Sequence, residues 1–177
     1  YGGILRSSVR GDPPSFDLHQ ERTIHVQDPL SPAYSLLVQT DPLDDSKIVP
    51  DLAESWELSP DGKVFTFRLR RGVKFHDAEP LTSADVKASF DRIIFPPKGT
   101  ISYRKGFFPS VEKIEAPDEY TVKFVLKQPQ ASLLEMLPFG YNVIFPKHIL
   151  DSKRDMKKDI VGTGPFKLKE YVRGVSL

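Results

Sequence analysis

Between residues 63 and 75 the large apolar side chains share one parity. Phe65, Phe67, Leu69, Val73 and Phe75 are odd, while Thr66, Arg68, Arg70 and Lys74 are even. Successive side chains of a strand point to opposite faces, so this run specifies a strand with one buried aromatic face, broken near Gly72. Ser59-Pro60-Asp61-Gly62 supplies the turn before it, and Trp56 is expected to pack beneath it. Such a face needs a cover, and the next segment reads as one. Thr82 can cap a helix, with Asp85 three residues later as a short form of the capping box. Val86, Phe90, Ile93 and Ile94 then recur on one helical face until Pro96-Pro97 stops it.

Elsewhere the chain reads as many short elements, because its 16 prolines in 177 residues exclude long helices. Residues 2–10 read as a strand and 16–31 as a structured loop. Ala33, Leu36 and Leu37 have helical spacing over 32–40, and residues 41–46 read as a turn. Val111–Ala116 and Tyr120–Lys127 form a hairpin around Pro117-Asp118-Glu119. A short helix over 130–137, a strand over 141–145, and a helix at 147–150 opened by Pro146 follow. A charged linker spans 151–159, and alternation over 166–171 suggests a last strand. The fold class is mixed α and β.

Composition narrows function mostly by exclusion. The 25 basic and 24 acidic residues are interspersed, for a net charge of +1, so the basic stripe of a nucleic-acid binder is missing. No stretch approaches the roughly 18 apolar residues of a membrane span. The first residues, Tyr1-Gly2-Gly3, do not resemble a signal peptide, so an exported protein would be represented here in mature or trimmed form. With no cysteine, a thiol nucleophile is impossible, and no Gly-x-Ser-x-Gly elbow exists. His19, His25, His76 and His148 lack metal-site spacing and read as surface or turn residues, so no metal is expected. Gly162-Thr163-Gly164 is followed by Pro165-Phe166, not by the Lys-Ser/Thr of a phosphate loop, and reads as a turn needing positive φ. Asp44-Asp45 and Asp118-Glu119 sit in turn contexts. Neither a catalytic constellation nor a cofactor is implied, and the chain is read as a non-enzyme.

Four segments together resemble one family. They are Gly2–Leu5 with Asp12–His19; Ile48–Glu57; Ser59–Asp77 with Pro80–Val86; and Gly162-Thr163-Gly164-Pro165-Phe166. The chain resembles the extracellular solute-binding family 5, the peptide and nickel class of ABC-transporter binding proteins. The resemblance implies a type II periplasmic-binding-protein architecture of two hinged lobes, of which this chain would represent the N-terminal lobe portion. Residues 1–43 and 160–177 would belong to the hinge-connected lobe, and 44–159 to an extra α+β subdomain. Ala78 stands where the family usually has glycine, so that turn either avoids positive φ or bears a small penalty for it. Leu18 stands where proline is common.

Function follows from the resemblance as an expectation. The protein would capture an oligopeptide or similar solute outside the cytoplasm and hand it to ABC permease subunits. Nickel complexes, sugars and opines remain open as ligands, as does a structural fragment that binds nothing. Its place would be periplasmic or on the cell surface, lipid-anchored if the source has no outer membrane, and peripheral to the membrane. The resemblance puts Thr23, Ile24 and His25 of the loop after the first strand, and Tyr103 of the 99–107 stretch, on the ligand-facing surface. An unpaired last strand would also favour self-association.

Overall fold

The computed structural model describes residue 8, residues 11–152 and residues 154–174. The strand expected over residues 2–10 lies outside the described residues. The elements are α1 (Ile24–Leu30), β1 (Val38–Asp41), β2 (Asp44–Pro50), β3 (Ala53–Leu58), β4 (Val64–Leu69), α2 (Ser83–Ile94), β5 (Val111–Asp118), β6 (Thr121–Leu126), α3 (Leu133–Met136) and α4 (Lys147–Leu150). Single 3-10 turns occupy Ser31–Ala33 and Lys105–Phe107.

The alternating aromatic run becomes β4, a central strand of a four-stranded antiparallel sheet in the order β3-β4-β6-β5. Trp56 sits directly across from Phe67, and Phe65 across from Phe124. Phe65, Phe67 and Leu69 are buried on one face with Phe124 and Leu126. Helix α2 covers that face, with Phe90 meeting Phe124 edge-on at 5.0 Å and Phe108 at 6.1 Å. Complete burial of such side chains contributes roughly 1.5–3 kcal/mol each, so these aromatics, with the aliphatic side chains buried around them, hold the sheet–helix layer together. The expected capping holds: the Thr82 amide and hydroxyl both donate to Asp85 Oδ2, at 2.8 and 2.9 Å. The helix ends at Ile94, two residues before Pro96.

A second core contains Phe16, Leu18, Val26, Leu30, Tyr34, Tyr141, Val143, Phe145 and Ile149. Residues 141–146 divide the two cores. Val143 and Phe145 face the second, while Ile144 enters the first. The segment is extended, as the sequence suggests, but it joins no sheet. Side chains satisfy its backbone instead. His19 Nε2 lies 2.9 Å from Val143 O, and the Ser89 hydroxyl donates to Phe145 O (3.1 Å) and accepts from Phe145 N (2.9 Å). Asp85 Oδ1 accepts from Lys147 N at 2.7 Å, so one carboxylate serves the first turns of both α2 and α4.

Several expectations need correction. No α-helix forms over 32–40: a single 3-10 turn ends at Ala33, and Leu36 and Leu37 are extended because their carbonyls accept from Leu52 N and Ala53 N. Leu37 and Val38 are both fully buried, so the apparent helical spacing was burial on two sides. Residues 24–30, read as loop, form the helix α1, whose short length and internal Pro29 conceal its period. Residues 166–171 form no ladder among the described residues. Phe166 N instead donates to Pro32 O at 3.2 Å. Gly162 and Gly164 do not have positive φ. They are glycines because a Cβ would sit 2.0 Å from Ala33 O at Gly162 and 2.5 Å from Pro32 O at Gly164. Ala78 does have positive φ, 75°, and so carries the conformational penalty.

Candidate functional site

The loop over residues 15–22 is held from below by a buried ion pair. Arg92, near the C-terminal end of α2, donates to both oxygens of Asp17, at 2.8 and 2.5 Å. The Asp17 side chain is 1% exposed and that of Arg92 13%, so the pair is largely withdrawn from water. Burial alone would raise the Asp17 carboxyl, but the guanidinium of Arg92 holds it below the ordinary aspartate value. Asp17 also accepts from the His19 amide and from Gln20 Nε2. His19, expected at the surface or in a turn, lies wholly inside instead, its ring 4.2 Å from that of Phe145 and tilted 44° to it. Burial, reinforced by the charge of Arg92, pushes it down to about 3, so the ring is neutral.

Arg104 ties this loop to the 99–107 stretch. It is 3% exposed, and its guanidinium donates to His19 O (3.4 Å) and to Glu21 O while lying 3.8 Å over the Tyr141 ring. Ile101 N donates to Gln20 Oε1 at 3.1 Å. Arg22 reaches across to lie 5.0 Å over the Tyr103 ring. Sequence-predicted residues far apart in the chain thus meet in one region. Thr23 is the N-cap of α1, Ile24 is exposed at its start, and half-buried His25 packs over Gly11, while Tyr103 stands exposed on the facing loop.

A third loop completes the surface. Phe139 meets Phe107 edge-on at 5.8 Å and Tyr141 at 5.8 Å, and Gly140 has no room for a Cβ beside the Gln27 side chain of α1. Arg22, Arg104, Phe107 and Phe139 were not picked out from the sequence. Phe139 carried a usable signal, an aromatic between Pro138 and Gly140 where helix cannot continue. The arginines carried none.

Behind the 15–20 loop lies an open cavity of about 510 Å³ between α2 and residues 150–156. The charges of its Asp17, Asp91, Arg92 and Asp151 are already paired within the protein. His76 is spent on structure, its Nε2 lying 2.9 Å from Gly164 O, and His148 pairs with Asp77 at 2.8 Å. Among the described residues no group of three or more His, Cys, Asp or Glu side chains could hold a metal ion. No helix there is long and apolar enough to cross a membrane.

Residues 47–177 match the profile of the bacterial extracellular solute-binding proteins, family 5. The chain belongs to this family. A probable D,D-dipeptide-binding periplasmic protein of Escherichia coli is 39% identical over 155 residues, which are 82% of this chain and 29% of that protein. A dipeptide-binding protein of the same species is 35% identical over 161 residues, 79% of this chain and 30% of that protein. Among solved structures, a periplasmic binding protein of A. tumefaciens in complex with agropinic acid superposes with a TM-score of 0.83 at 37% identity. That match covers 93% of this chain and 33% of the other. A Helicobacter pylori binding protein in complex with a peptide superposes at 0.79 with 32% identity, covering 92% of this chain and 36% of the other. This family 5 chain therefore spans about a third of the length of these proteins and has the fold of part of one lobe of a periplasmic binding protein.

Proposed function

We propose that this chain supplies one wall of the ligand cleft in the solute-binding component of an ABC importer. It captures an oligopeptide or similar small solute outside the cytoplasm for delivery to permease subunits. Thr23, Ile24, His25 and Tyr103 are the ligand-facing residues. Residues 1–43 and 160–177 form the hinge-connected part of the lobe, with 44–159 as the added subdomain. The protein works in the periplasm or anchored at the cell surface, and it turns over no substrate.

The observation that carries this reading is the meeting of the 20–25 loop and the 101–107 loop at Arg22–Tyr103 and Arg104–Glu21. Two loops fixed from beneath by a buried ion pair make a preorganised surface, which is what ligand capture without chemistry requires. Membership in a solute-binding family and relatives named for dipeptides support peptide as the ligand. An opine is the second reading, favoured by the 37% identity to the protein solved with agropinic acid. Native mass spectrometry of the full-length protein from its own host separates the two. A retained peptide supports the first reading and a retained sugar–amino acid conjugate the second. An empty protein that no peptide or opine stabilises thermally would overturn both.

A further inference from the structure

Five of the ten exposed large apolar side chains among the described residues belong to this one surface: Ile24, Ile101, Tyr103, Phe107 and Phe139. Phe107 and Phe139 are 40% and 46% exposed, yet they hold each other edge-on, and Phe139 continues onto Tyr141. They form an aromatic ledge that is partly open to solvent. Beside it stand two guanidinium groups. Arg22 and Arg104 enter none of the arginine–carboxylate ion pairs among the described residues, whereas Arg92 and Arg154 each hold an aspartate. Arg104 is buried and its Nε has no hydrogen-bond partner; carbonyl oxygens and the Tyr141 ring hold its guanidinium, with the Glu21 carboxylate near enough to act on its charge but forming no ion pair with it. A buried cation with no directly paired carboxylate is costly, and a carboxylate arriving on this face relieves part of that cost.

We propose that this surface selects for a ligand carrying a carboxylate next to a bulky apolar side chain, the chemistry of a short peptide ending in an aromatic or branched residue. Phe107 and Phe139 seat the apolar group, and Arg22 meets the carboxylate, with Arg104 adding positive potential from beneath. This rests on the solute-binding reading and narrows its ligand class. Both aromatics are half exposed, so removing them leaves the two cores intact.

The test is calorimetric titration of the full-length protein with three probes: Ala-Phe, Ala-Gly, and Ala-Phe with an amidated C-terminus. The wild type is expected to bind Ala-Phe about tenfold or more tighter than Ala-Gly, from burial of the ring. Phe107→Ala with Phe139→Ala brings the Ala-Phe to Ala-Gly affinity ratio down toward one. Arg22→Gln removes the preference for the free acid over the amide. Variants that keep the wild-type ranking overturn the inference, as does a double-phenylalanine variant that alters only the oligomeric state, which would make the ledge a contact between copies. If the probes fail but a co-purified solute of another class binds, the ligand class is wrong and the solute-binding reading survives. If nothing binds, both fall.

Discussion

His19 gives the clearest link between burial and a measurable property. The ring is completely enclosed, and burial with the nearby Arg92 charge pushes it from 6.5 to about 3. In the folded protein it is therefore neutral across the working pH range, with Nε2–H placed to donate to Val143 O. The unfolded chain binds a proton below about pH 6.5 and the folded one does not. Stability hence rises with pH, and it is lost as pH falls from 6.5 toward 3. One proton of difference is worth about 1.4 kcal/mol per pH unit, so His19 costs the fold about 2 kcal/mol between about pH 7.5 and about pH 5. The Asp17 carboxyl, held below its ordinary 3.8, loses its contribution in a lower window and does not confuse the measurement. His19→Gln keeps a donor for Val143 O and cannot titrate. Urea unfolding of both proteins at the two pH values should show the wild type losing about 2 kcal/mol more than the variant. Parallel losses would mean that His19 is hydrated or already charged in the fold, and the burial argument would fail.

Three further outcomes follow from the same structure. Asp17→Asn strands the Arg92 guanidinium in a site that is 13% exposed, and should destabilise by about 3–5 kcal/mol in chemical denaturation. Ala78→Gly relieves a backbone at φ 75° and should raise the denaturation midpoint by the equivalent of roughly 0.5–1 kcal/mol. Gly164→Ala forces a Cβ to 2.5 Å from the Pro32 carbonyl oxygen, so it should cost at least about 2 kcal/mol and expose the Ala33 and Tyr34 amides to hydrogen exchange.

What the residues themselves determined is whatever rests on local periodicity and capping. Strand β4, its turn, the capped helix α2 and the β5–β6 hairpin were all legible, because alternation and 3.6-residue spacing record which face is buried. The family could be read from ordered motifs spread over the chain, and with it the ligand-facing positions proposed here. Tertiary structure decided matters that local pattern does not encode. Leu36 and Leu37 looked helical because burial on two sides imitates a helical face, and only the carbonyl acceptance by residues 52 and 53 makes them extended. Residues 141–145 looked like a strand, but their backbone is answered by His19 and Ser89, groups 124 and 56 residues away. The glycines of Gly162-Thr163-Gly164 are required by the backbone of residues 32–34, a constraint set by proximity and not by φ. The same holds for the ligand-facing surface. Arg22, Arg104, Phe107 and Phe139 acquire meaning only when loops some 80 and 35 residues apart are brought edge to edge, because the charge and exposure of a side chain are properties of its surroundings.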